Sequence, residues 1–202
     1  MKKHCSLFLI LLLLVFTSCK ITDNSIKKEP QADFIETDAE ELIITSTAFA
    51  EEGLIPDKYT CKDKNVSPKL KWEGLPKETK SIVIICGDTD AHAGTWIHWL
   101  VYDIPGNLDS IPENADINKI DAKLGKNSWG KNEYKGPCPS PGITHKYCFK
   151  IYALDIKLNL ESGKTEREIE TAMRGHIVAK GKLIGFFKSR MDPHDFKKWP
   201  DI

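Results

Sequence analysis

Short blocks of apolar residues, separated by glycine- and proline-rich connections, recur along most of this chain. That spacing predicts strands more than helices. Leu42–Phe49, rich in β-branched residues, predicts a first strand, and Leu70–Trp72 a short second one. Ser81–Cys86 is a largely apolar run of strand length, the pattern of a strand buried on both faces. Trp96–Ile104, His145–Leu154 and Lys182–Lys188 predict the remaining strands. One helix is signalled. Thr165-Glu-Arg-Glu168 is a capping box, Ile169, Ala172 and Met173 form an apolar stripe, and Gly175 is a natural stop. With no internal repeat, the pattern predicts a single all-β sandwich or β-rich α+β domain.

The chain opens on an apolar run of another kind. Leu7–Phe16 follows Lys2 and Lys3. About ten residues cannot span a hydrocarbon core of about 30 Å as a helix, so the run reads as a signal-peptide core. Phe16-Thr17-Ser18-Cys19 resembles a lipobox, with Phe16 where Leu is usual, in which the cysteine is lipidated and becomes the mature N-terminus. An ordinary cleaved signal, with Cys19 incidental, is the alternative. The predicted organisation is a signal peptide over 1–18, a lipidated N-terminus and polar tether over 19–41, the domain over 42–190, and an irregular tail over 191–202. The expected location is the cell envelope.

Processing changes the charge and cysteine counts. The full chain balances 29 basic against 29 acidic residues. Without Lys2 and Lys3 the balance falls to 27 against 29, a net charge near −2 with neutral histidines. That excludes the basic footprint of a nucleic-acid binder and any bulk attraction to anionic lipid. Cys5 leaves with the signal. Cys61, Cys86, Cys138 and Cys148 remain in a compartment that permits disulfides, and four cysteines allow three full pairings.

Two stretches place ionisable residues where strands are otherwise apolar. In the first, Asp88-Thr-Asp90-Ala-His92 leads to Trp96-Ile-His98, and period-2 alternation puts Trp96, His98, Leu100 and Tyr102 on one face. In the second, Gly136-Pro-Cys-Pro139 leads to His145-Lys-Tyr147, with His145, Tyr147 and Phe149 on one face. Two histidine-bearing strands among aromatics could converge on one pocket.

This pair of stretches resembles the signature regions of the phosphatidylethanolamine-binding (Raf kinase inhibitor-like) family, prokaryotic branch. Asn65-Val-Ser-Pro-Lys-Leu-Lys-Trp72, Tyr152-Ala-Leu-Asp155 and Met173-Arg-Gly-His176 extend the similarity over residues 42–190 in the right order. It implies a β-sandwich-like fold with one or two peripheral helices and a pocket for a phosphate or phospholipid headgroup. Asp88, Asp90, Trp96, His98, His145 and Tyr147 would line the pocket, with Gly136 to Pro139 as its rim. The carboxylates would hold the histidines charged and oriented. Thr89 and His92 stand where the family has prolines, and Lys146 where it has arginine. His92 and His176 read as structural.

A binding role for a small anion leads, with no catalytic residue, metal or cofactor expected. A protein-interaction role is second, because the resemblance extends to members that restrain kinases or proteases. A metal hydrolase built on Asp88, Asp90, His92, His98 and His145 is third, disfavoured because H-E-x-x-H and G-x-S-x-G are missing. Cys61 and Cys138 fall in loops, whereas Cys86 and Cys148 fall in apolar strand runs, so the expected disulfide is Cys61–Cys138.

Overall fold

The computed structural model describes residues 39–190. The predicted signal peptide, Cys19, the tether to residue 38 and the tail over 191–202 lie outside the described residues. Ten strands and one α-helix follow one another as β1 (Glu40–Glu41), β2 (Ile43–Thr45), β3 (Gly53–Leu54), β4 (Leu70–Glu73), β5 (Ser81–Asp88), β6 (Trp96–Pro105), β7 (Ser110–Ile111), β8 (Lys123–Leu124), β9 (Thr144–Leu154), α1 (Glu166–Met173) and β10 (Ile177–Lys188). The large sheet runs β1-β10-β9-β5-β6-β8, with β3 also paired to β10, and the small sheet runs β2-β4-β7. The core lies between them: Ile44, Leu70, Trp72 and Ile111 of the small sheet pack in one cluster with Ile82, Ile84, Phe149, Ile151 and Leu183 of the large one. This is the mostly-β, sandwich-like architecture the sequence implied.

Every residue of β5 is buried. It is central, hydrogen-bonded to β6 on one side and β9 on the other. Its second face is covered as well, since Val83 and Ile85 are buried, and beside it α1 lies against β6 and buries Ile169 and Met173. A strand covered on both faces needs no polar alternation, hence the unbroken apolar run. The capping box at the start of α1 forms as predicted. The Glu168 N–H donates to the Thr165 hydroxyl, and the Thr165 N–H donates to the Glu168 carboxylate at 2.9 Å.

Three boundaries differ from the pattern. The predicted first strand ends at Thr45 rather than Phe49, because the Ser46 hydroxyl accepts the Ala48 N–H and turns the chain. Glu40–Glu41, expected in the tether, pairs in parallel with β10. The last strand is also longer, beginning at Ile177. The polar-looking break Lys180-Gly181-Lys182 is strand, and Gly181 is there for clearance: a Cβ on it would sit 2.3 Å from the Leu42 carbonyl oxygen.

The larger correction is in β6, where alternation fails. Gly87 faces Ile97 and Cys86 faces Trp99, so His98 is one residue too many for its partner strand. This β-bulge puts Trp99 and Val101 into the core cluster with Cys86, instead of Leu100 and Tyr102 sharing His98's face. A second irregularity lies at Tyr102–Asp103. There Asp103 has φ 56°, and its carboxylate accepts the Leu158 and Asn159 N–H groups at 2.6 and 3.0 Å.

Cys61 and Cys138 are bridged, with Cα atoms 5.5 Å apart, and Cys86 and Cys148 are free and buried. A bridge between residues 77 apart restricts the unfolded chain strongly. The Cys61→Ser/Cys138→Ser double variant should lose about 4 kcal/mol of stability in the chain-entropy model. Denaturant titration under oxidising conditions measures this, and an unchanged midpoint would contradict it.

Candidate functional site

At the end of β5, Asp88 is only 5% exposed. A carboxylate so placed must be neutralised and hydrogen-bonded. Its Oδ2 lies 2.7 Å from Nδ1 of His145 on β9, and its Oδ1 accepts the Asp90 N–H at 2.9 Å. The strand register makes this possible: Asp88 pairs directly with Tyr147 on β9, two residues beyond His145 and on the same face. Tyr147 is fully buried, and its hydroxyl has no hydrogen-bond partner. Burial, and then the nearby Asp88 charge, push its pKa far up, so the O–H keeps its proton.

The bulge in β6 turns His98 towards the same place. Its ring meets Tyr147 edge to face at 5.2 Å and Trp129 at 5.0 Å. His98 is 2% exposed. Its Nδ1 is 2.5 Å from the Lys135 carbonyl oxygen, and the Lys135 N–H returns a bond to the His98 carbonyl at 3.0 Å. Burial lowers the His98 pKa, against the opposing pull of the Lys135 carbonyl and Asp88. The expectation that nearby carboxylates keep both histidines charged therefore fails at His98, where desolvation outweighs attraction. Trp96, 36% exposed, packs edge to face on the equally exposed Trp129 at 5.4 Å, and Lys135 Nζ lies 4.5 Å over the Trp129 ring.

The loop around Gly136 is stapled from beneath. The Gly136 N–H donates to the Asn65 side chain at 2.7 Å, the Cys61 N–H to the Pro137 carbonyl, and the Tyr134 hydroxyl to the Tyr59 carbonyl. Gly136 has no room for a side chain, since a Cβ would lie 2.1 Å from the Tyr59 oxygen. The disulfide anchors Cys138 in the same place, and Pro139 is buried.

Asp88, His98, His145 and Tyr147 are therefore brought together, with Trp96 reaching them through Trp129. Asp90 is used differently. Its carboxylate accepts the Lys146 N–H at 2.9 Å, fixing the turn against β9, and His92 is exposed. Asp90 and His92 thus do not join the histidines as a metal-binding set. Among the described residues no group of three or more His, Cys, Asp or Glu is placed to hold a metal ion. His176 lies apart from these groups in its contacts, with Nδ1 2.9 Å from Asp155 Oδ1.

Sequence reasoning missed Lys135 and Asn127, and gave Asn65, part of the resembling stretch, no role at the site. Asn127 is buried and shapes the Trp129 loop, accepting the Trp129 and Lys131 N–H groups and donating to the Glu133 carbonyl. Gly87, interrupting an apolar strand, was the available signal for the bulge that aims His98.

The lowered His98 pKa fixes the sign of one stability effect. Below its ordinary value of 6.5, the unfolded chain takes up a proton that the folded chain refuses. Stability therefore falls as pH drops through that value, and the loss levels off below the folded-state pKa. Relative to His98→Gln, the wild type should lose stability between about pH 7.5 and pH 5. Urea denaturation of both proteins across this range tests it, and parallel curves would refute it.

Comparison with known proteins agrees with the fold. The family model for phosphatidylethanolamine-binding protein matches residues 45–188. A UPF0098 protein of Methanothermobacter thermautotrophicus is 42% identical over 144 residues, covering 70% of this chain and 95% of that protein. A UPF0098 protein of Chlamydia trachomatis is 38% identical over 150 residues, covering 72% and 97%. Among solved structures, the Chlamydia trachomatis homolog CT736 superposes with a TM-score of 0.68 at 38% identity, covering 75% of this chain and 99% of that one. Escherichia coli YbcL, described as a new member of the mammalian PEBP family, gives a TM-score of 0.68 at 25% identity over 74% and 99%. The family match over residues 45–188 and the 42% identity to a relative covered over 95% of its length place the chain in the phosphatidylethanolamine-binding protein family.

Proposed function

We propose that this chain is an exported lipoprotein that binds a small anion of the phosphate or phospholipid-headgroup type at the Asp88–His98–His145–Tyr147 cluster, and that it acts as a binder rather than a catalyst. The observation that carries the reading is the Tyr147 hydroxyl, buried without a partner beside a carboxylate–imidazole pair and a second imidazole. A buried hydroxyl left unpaired costs about 1–3 kcal/mol, and a ligand oxygen would remove that cost. Of the Gly136–Pro139 rim only the Cys138 N–H remains as a further donor, since Gly136 donates to Asn65 and the two prolines have no N–H. The protein groups at the site are acid–base and hydrogen-bonding groups without a serine or cysteine nucleophile among them.

O-phosphoethanolamine is a suitable probe. His145→Ala should weaken its binding by about 10- to 150-fold, the range for one charge-assisted hydrogen bond. Calorimetric titration of both proteins measures this, and equal affinities would remove His145 from the site. Anchoring is tested separately. Replacing Cys19 by serine should move the protein from the membrane fraction to the soluble one, because two acyl chains hold where one is marginal. A wild-type protein already wholly soluble after fractionation would refute the anchor.

A further inference from the structure

The rim of the site is held unevenly along its length. As far as Pro137 it is fixed by hydrogen bonds. The His98 ring faces the Lys135 carbonyl at 2.5 Å and the Gly136 backbone. The Gly136 N–H donates to Asn65, and the Pro137 carbonyl accepts the Cys61 N–H at 3.1 Å. Cys138 differs. Neither its N–H nor its carbonyl joins this set of bonds, and what ties it to the fold is the bridge to Cys61. Pro137 and Pro139 have no N–H, so the Cys138 N–H stands alone in this stretch. It is directed at the Tyr147 hydroxyl oxygen, where it opposes the rise of the phenol pKa without completing a hydrogen bond. A phosphate-type oxygen placed beside Tyr147 would meet two donors, the phenol O–H and this N–H.

The bridge is also open to chemistry. Cys138 is exposed and Cys61 half-buried. The thiols of Cys86 and Cys148 are buried, and desolvation pushes their pKa values up, which keeps them out of exchange. A dithiol can reduce the bridge. The S–S bond breaks, the two sulfurs take up two electrons and two protons as thiols, and the dithiol closes to its own disulfide. Building on the anion-site reading above, we infer that the Cys138 N–H is a main-chain donor to the bound anion and that the Cys61–Cys138 bridge holds it in place, so that anion affinity follows the redox state of the bridge. Reduction frees Cys138, while the hydrogen bonds leave Lys135, Gly136 and His98 where they are.

The experiment titrates the wild-type protein with O-phosphoethanolamine by calorimetry before and after treatment with dithiothreitol, and again after reoxidation. Reduction should weaken binding by about tenfold or more, the effect of losing one hydrogen bond to a charged group, and reoxidation should restore it. Linkage requires the converse. Saturating O-phosphoethanolamine should make the bridge harder to reduce, by about 30 mV for each tenfold in affinity. Imidazole ¹⁵N spectra should show His98 unchanged by reduction, which separates the loss of one donor from a general loosening of the site. A displaced His98 resonance would overturn the assignment to Cys138. Another readout needs no reduction: on adding O-phosphoethanolamine to the oxidised chain, the Cys138 amide proton should move further downfield than that of Gly136. An unmoved Cys138 amide at saturation would refute the donor role. Equal affinity of the oxidised and reduced forms would overturn the inference and leave the anion site standing, whereas no binding by either form would overturn the anion site itself.

Discussion

The site depends on one buried carboxylate. Asp88 ends a strand whose other residues are buried hydrophobic or small, and an ion in such a place costs several kcal/mol before its partners are counted. The partners come from two directions. His145 arrives across the β5–β9 pairing, and the Asp90 N–H arrives from the turn that follows. Asp90 then anchors that turn to Lys146, next to His145. Asp88, its turn and the start of β9 thus form one hydrogen-bonded unit. Thr89, which stands in place of a proline, contributes to it, since its N–H reaches the Lys146 carbonyl. The turn needs no proline for its shape because backbone and carboxylate bonds hold it.

The other half of the site is held by groups far away in sequence. His98 is aimed by an extra residue in β6 and by the Lys135 backbone, Trp129 by Asn127, and Gly136 by Asn65. Asn127 and Asn65 are loop side chains bonded to backbone, and the Lys135 backbone bonds both the His98 ring and the His98 carbonyl. A rim built this way depends little on neighbouring side-chain identity, but strictly on the positions of a few Asn and Gly residues.

Legibility in the sequence followed the range of the interaction. Elements set by local chemistry were readable: the β5 run, the capping box at Thr165, and the separation of loop cysteines from strand cysteines. The histidine–aromatic alternation on β9 held because that strand is regular through Tyr147 and Phe149. The same argument failed on β6, where one extra residue reversed the faces beyond His98. Asn65 and Lys135 could not be read because their partners lie 71 and 37 residues away. The charge of His98 was misjudged for a related reason. Two carboxylates nearby in sequence were visible, but the depth of burial and the hydrogen bonds that already occupied Asp88 were not.

The pairing of β5 with β9 has a consequence for the order in which this chain acquires its structure. Asp88 meets Tyr147 across 59 residues, and Ser81 meets Leu154 across 73. Nothing local brings these segments together, and closing so long a loop costs entropy before the ladder repays it. The hairpin of β5 and β6 can form early, but by itself it presents Asp88 without a counter-charge. Only when β9 docks does the carboxylate gain its imidazole, so the final strand to enter the middle of the sheet also completes the cluster. Competence to bind should therefore appear together with the closure of the sheet rather than ahead of it. Partly folded chains would carry no complete cluster.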